Sequence, residues 1–77
     1  MAKAYVLIRA EAGKVGSAVE GIRKLPNVVA ADAVTGPYDV IAILEASDFD
    51  ALGRSVVEGV QKVDGIYRTL TCLGVDI

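Results

Sequence analysis

Between Val40 and Leu44 the chain reads Val-Ile-Ala-Ile-Leu, with no polar side chain at odd or even positions. Successive side chains of a strand point to opposite faces, so Val40, Ala42 and Leu44 would occupy one side and Ile41 and Ile43 the other. A strand that is apolar on both faces is covered on both. The opening strand, Ala4–Arg9, makes the same demand, with Val6 and Ile8 on one face and Tyr5 and Leu7 on the other. Any fold of this chain therefore has to seal two sides of its sheet.

The segments around these strands limit how that is done. From Lys14 the apolar residues Val15, Ala18, Val19, Ile22 and Leu25 recur at threes and fours, which predicts a helix with Lys14, Ser17, Glu20 and Lys24 outside. Gly16 and Gly21 weaken it, and Pro26 ends it because the residue before a proline avoids the helical region. Val28–Val34 is an alanine-rich second strand whose small side chains fit an edge. After the corner at Gly36-Pro37 the third strand runs Tyr38–Ala46. Ser47 or Asp48 then caps a second helix with the stripe Phe49, Leu52, Val56, Val60 and Val63. Asp64-Gly65 turns the chain into a last strand, Ile66–Val75. The order β-α-β-β-α-β predicts an α+β, ferredoxin-like domain: a four-stranded antiparallel sheet with both helices on one face and strands one and three central.

Two helices cover one face only. The 77 residues form one domain, 1–77, near the lower size limit for folding alone, and 53% of them are hydrophobic. A single cysteine, Cys72, allows no internal disulfide, and the absence of histidine leaves no ligand cluster for a structural metal. The expected device is a homodimer packed sheet against sheet, a dimeric α+β barrel. A formal net charge of −2 without long runs of one sign gives no reason to expect direct nucleic-acid binding. The start of the chain is too short and too polar for a signal peptide or a membrane span, so a cytoplasmic location is expected.

Thr35-Gly36-Pro37-Tyr38-Asp39 is the candidate site. Gly36 and Pro37 are turn chemistry, while Tyr38 and Asp39 stand where a surface corner enters a buried strand. Asp39 can anchor a ligand ammonium, or it can be a turn aspartate bonding nearby N–H groups. Thr69 and Thr71 alternate along the last strand and share a face, together with Tyr67 and Leu73. They can donate to a carboxylate, or be ordinary strand formers. Arg9 and Arg68 are held in reserve for a ligand carboxylate. Cys72 reads as a small hydrophobe. Catalysis finds little support, since no nucleophile has a base, no Gly-rich loop cradles phosphate, and Asp32 with Asp39 makes a weak carboxylate pair. No cofactor is expected.

The segment Val34-Thr35-Gly36-Pro37-Tyr38-Asp39-Val40-Ile41 resembles the Gly-x-Tyr-Asp segment of the Lrp/AsnC family's effector domain, the RAM domain, and Arg68-Thr69-Leu70-Thr71 resembles its closing strand. Ala4–Ile8, the helix after it and Val28–Val34 match the same layout, so the resemblance covers essentially the whole chain. It implies a ferredoxin-like fold that dimerises through its sheet, with dimers assembling into rings, commonly octamers. It also implies small effectors, usually amino acids, held between neighbouring dimers. Carried over by position, Gly36, Tyr38, Asp39, Thr69 and Thr71 would line that pocket as ligand-binding residues. Family members commonly carry a helix-turn-helix domain ahead of this one. The chain opens at the effector domain's first strand, so a stand-alone, non-enzymatic form is expected, acting alone or with full-length Lrp/AsnC regulators. The alternatives are an ACT-like regulatory domain, a small dimeric α+β barrel enzyme, and a structural assembly partner without ligand.

Overall fold

The computed structural model describes every residue from Met1 to Ile77. The elements are β1 (Ala2–Ala10), α1 (Val15–Arg23), β2 (Val28–Ala33), β3 (Val40–Ala46), α2 (Phe49–Glu58), a 3-10 turn at Val60–Lys62, and β4 (Ile66–Leu73). The sheet order is β2-β3-β1-β4 and every pairing is antiparallel. This is the expected α+β, ferredoxin-like arrangement, with β1 and β3 central and the alanine-rich β2 at an edge.

β1 and β3 pair in unbroken register from Ala2↔Ala46 to Ile8↔Val40. Directly opposed residues share a face, so the strict alternation of both strands sorts their side chains cleanly. On the helix side Ala4, Val6, Ile8, Val40, Ala42 and Leu44 are fully buried against Ile22 of α1, Leu52 of α2 and Val60 of the 3-10 turn. Only 16 of 77 residues are buried, and no polar side chain is among them. The core is thin, apolar and confined to one face.

The other face carries two apolar rows. Ile41, Leu7 and Leu70 oppose one another across β3, β1 and β4, as do Ile43, Tyr5 and Cys72. Nothing in the chain packs over them, and Leu70 remains 48% exposed. Charged residues close the band at both ends. Lys3 and Glu45 oppose each other at one end, with the Lys3 ammonium 5.3 Å from the Tyr5 ring centroid, and Arg9 and Arg68 oppose each other at the other end.

The helices depart from the sequence pattern in their last turns. α1 stops at Arg23, where the N–H groups of Lys24 and Leu25 donate to Gly21 O and Ile22 O in a tighter three-residue spacing ahead of Pro26. Asn27 then takes a left-handed conformation, φ 72°. α2 is capped by Asp48, whose Oδ1 accepts from the Ala51 N–H at 2.8 Å. It ends at Glu58 because Gly59 breaks it, so Val60 and Val63 reach the core from the 3-10 turn and the segment after it rather than from the helix stripe. Phe49, expected on that stripe, is 57% exposed at the helix's first residue.

The two glycines of α1 have different reasons to be there. A Cβ on Gly16 would meet nothing within 4 Å, whereas one on Gly21 would lie 2.7 Å from Val63 Cγ1. Gly21 lets α1 approach the segment that leads into β4, and Val63 has a stiff β-branched side chain with little room to yield. Gly16→Ala should therefore stabilise the fold by about 0.5–1 kcal/mol. Gly21→Ala should gain nothing or lose stability, and melting curves of the two variants side by side check both signs.

Candidate functional site

Asp39 lies at the junction of three segments. Its backbone N–H donates to Ile8 O at 2.8 Å, and its carbonyl accepts from the Val34 N–H at 2.9 Å, closing the corner between β2 and β3. Its Oδ2 accepts from the Ala10 N–H at 2.8 Å. β3 leaves the ladder at this point, and the carboxylate takes the N–H that a continuing strand would have satisfied with a carbonyl. Of the two readings open for Asp39, backbone bonding is thus realised, though the partner lies 29 residues away on β1 rather than in the turn itself. Oδ1 accepts no hydrogen bond within the chain.

Arg9 stands beside Asp39, with Nε 4.0 Å from Oδ2. Together with Ala10, Glu11, Ala12 and Tyr67 they line an open depression of about 500 Å³ at the end of the apolar band. Glu11 is balanced by Lys14, whose Nζ is 3.7 Å from Glu11 and also 3.7 Å from Asp64. Tyr67 arrives by a β-bulge. The register between β1 and β4 shifts between Arg9↔Arg68 and Ala10↔Ile66, which leaves Tyr67 unpaired and in the wall of this depression. Strict alternation would put it on one face with the two threonines and Leu73, and the bulge breaks that alternation.

The other sequence-predicted residues are spread around this point. Gly36, at φ 149°, and Pro37 form the exposed tip of the corner, and Tyr38 is half-buried at its base. Thr69 opposes Ile8 and Thr71 opposes Val6, so both hydroxyls sit on the helix side of the edge strand, away from the face that carries Arg9 and Leu7. Thr69 Oγ1 accepts from Gln61 Nε2 at 2.9 Å, and Thr71 has no side-chain hydrogen bond. One chain does not bring the threonines to Asp39. A separate cleft between the end of α1 and α2, lined by Leu25, Pro26, Arg54, Ser55, Glu58 and Gly59, has its hydroxyl and guanidinium already engaged, Ser55 by Asn27 and Ala51 and Arg54 by Asp50. No helix is long and apolar enough to cross a membrane.

The domain has counterparts of similar sequence and fold among known proteins. The model of the Lrp/AsnC ligand binding domain matches residues 3–75, and the chain belongs to that family. An uncharacterized HTH-type transcriptional regulator of Pyrococcus abyssi is 37% identical over 70 residues, covering 91% of this chain and 44% of the regulator. The chain thus spans less than half the length of the curated relatives it matches. The crystal structure of TTHA0845 from Thermus thermophilus superposes with a TM-score of 0.93 at 36% identity, covering 100% of this chain and 96% of that one. The Neisseria meningitidis transcriptional regulator NMB0573, solved as an L-Met complex, shares the fold with a TM-score of 0.85 at 18% identity, over 97% of this chain and 50% of that one.

Because Asp39 Oδ2 caps an N–H that has no other acceptor, Asp39→Ala should cost about 1–3 kcal/mol of stability. Asp39→Asn keeps an acceptor oxygen and should cost distinctly less. Urea unfolding of both variants checks the order, and an equal loss would show that the charge matters more than the hydrogen bond.

Proposed function

We propose that this domain binds an amino-acid effector and assembles with copies of itself, as a non-enzymatic module of cytoplasmic transcriptional regulation acting alone or with full-length Lrp/AsnC regulators. The observation that carries the reading is Asp39. One of its oxygens is fixed by β1, and the other is unengaged at the rim of a depression walled by an arginine and a tyrosine. An anchored carboxylate with a free oxygen is a receptor for an ammonium group, because its geometry is set before the ligand arrives. The L-Met complex of the Neisseria regulator, which has the same fold, supports the class of ligand.

The uncovered rows support the assembly. Two copies packed through Leu7, Ile41, Ile43, Tyr5, Leu70 and Cys72 would bury the apolar band, and a twofold axis makes one patch serve both sides. Thr69, half-buried, and Thr71, exposed, both on the helix side of the edge strand, would then line a ligand pocket with Gly36, Tyr38 and Asp39 only where neighbouring dimers meet. A ring of dimers, such as an octamer, supplies that meeting.

Thermal melting in the presence of each of the twenty amino acids tests the effector role. At least one, at millimolar concentration, should raise the transition temperature, and Asp39→Asn should cancel the rise without unfolding the protein. No rise with any amino acid would defeat the reading. For the assembly, native mass spectrometry should give even-numbered species. Ile43→Glu, at the middle of the band, should reduce them to single chains, and a wild-type single chain at micromolar concentration would remove the dimer from the proposal.

A further inference from the structure

The core accounts for one side of α2 and leaves another side unexplained. Leu52 and Val56 point into the core, and Ser55 Oγ accepts from Asn27 Nδ2 at 2.7 Å, which turns that flank of the helix toward the end of α1. Phe49, Gly53 and Val57, spaced by four, share the opposite flank. Phe49 is 57% exposed and Val57 56%, so two large apolar side chains stand a helical turn before and after a glycine. With Asp50, Arg54 and Glu58 they line a shallow depression of about 340 Å³. A Cβ on Gly53 would meet nothing within 4 Å, so nothing inside the chain requires a residue that costs a helix about 0.5–1 kcal/mol. Gly16 is equally uncrowded, but the residue a turn after it is Glu20, and no apolar flank surrounds it.

We propose that this flank of α2 packs against the same flank of a second copy, antiparallel about a twofold axis near Gly53, and so joins sheet-paired dimers to one another. The shape is self-complementary. The missing Cβ lets the two helix backbones approach, and reversal about Gly53 lays Phe49 of each helix against Val57 of the other. The charges choose the direction. Asp50 and Arg54 are paired at 2.8 Å within one helix. Two such helices side by side in parallel would set Asp50 against Asp50, Arg54 against Arg54 and Glu58 against Glu58. Antiparallel, Arg54 of the second copy falls about 3 Å along the axis from Asp50, which gives a quartet of alternating sign, and the Glu58 carboxylates separate to about 15 Å. A partner of different sequence would need none of this symmetry, which favours a second copy. The contact rests on the sheet-to-sheet pairing proposed above. A ten-residue helix is about 15 Å long, too short to hold two single chains, but a dimer paired through its sheets carries two such flanks on its outer sides, and repeated engagement strengthens the whole. Two different twofold contacts on opposite faces of one domain build assemblies in steps of two chains.

Native mass spectrometry of the full chain and of Gly53→Gln tests this, because glutamine suits an exposed helix position and fills the gap between the helices. The wild type should give species of four or more chains at micromolar concentration, and Gly53→Gln should reduce them to pairs while its melting transition stays cooperative. Wild-type pairs and nothing larger, or larger species that persist in Gly53→Gln, would overturn the helix contact and leave the sheet pairing standing. A second measurement decides the matter even where the sheet pairing fails. Helices packed with axes about 8–10 Å apart would bring the two Cα atoms at position 53 to about 4–5 Å, within disulfide reach, while those at position 58 stay about 15 Å apart. In a Cys72→Ser background, mild oxidation should therefore link Gly53→Cys chains about tenfold faster than Glu58→Cys chains. Equal rates would overturn the contact. Faster linking at position 53, where the wild type shows only single chains, would uphold the contact and defeat the sheet pairing instead.

Discussion

The structure depends on the unbroken alternation of β1 and β3, which pair from Ala2↔Ala46 to Ile8↔Val40 without a slip. A one-residue shift would exchange the helix-facing set, Val6, Ile8, Val40 and Leu44, for the outward set, Tyr5, Leu7, Ile41 and Ile43. Both sets are apolar, so pattern alone distinguishes the two faces poorly. Residue size does it better. Alanine at positions 2, 4, 31, 42 and 46 gives the helix side a low floor on which Ile22 and Leu52 can sit, while the outward face projects larger side chains. The helix-side core is correspondingly small for a chain of this length. The unsatisfied apolar rows are the counterpart of that economy, and folding and association draw on the two faces of the same strands.

The second constraint is local. A corner that starts at Val34 and must return to the ladder at Val40 could swing freely about Gly36, whose φ of 149° suits no other residue well. It is pinned instead by three hydrogen bonds that converge on Asp39, two through its backbone and one through its carboxylate. The rigid part of the corner is its last residue. The tip, Gly36-Pro37, is left to solvent, so the Asp39 carboxylate sits on the scaffold rather than on the loop.

Most of the architecture is legible in the chain because it is written in periods of two and of three to four. The strand alternations, the α1 stripe from Val15 to Leu25 and the Asp48 cap all appear in the structure near the expected places. What the sequence conceals is anything set by register or by a distant partner. Counting alternate residues assigns Tyr67 a face, and a bulge between Arg9 and Ala10 gives no signal that would correct the count. That Thr69 and Thr71 share a face can be counted. Which face it is depends on the pairing with Ile8 and Val6. The periodic stripe overruns the end of α2 because Val60 and Val63 continue its spacing, and Gly59 is the sign that the helix stops. The Asp39–Ala10 bond joins residues no local motif connects, and the placement of Arg9 beside Asp39 is equally hidden in the sequence.

Asp39 links these two constraints to the proposed ligand. Its Oδ2 ties the corner to Ala10, at the end of the central strand, and Arg9, the preceding residue, points into the row that borders the apolar band. The proposed ligand on Oδ1 would lie at the end of the uncovered apolar face, beside the proposed sheet-to-sheet contact. Whatever binds the assembled form more tightly than the separate chains shifts the equilibrium toward assembly by that difference, and assembly strengthens ligand binding by the same factor. If the proposed effector binds the assembled form more tightly, its binding and oligomerisation are thermodynamically coupled, with no need for a moving domain.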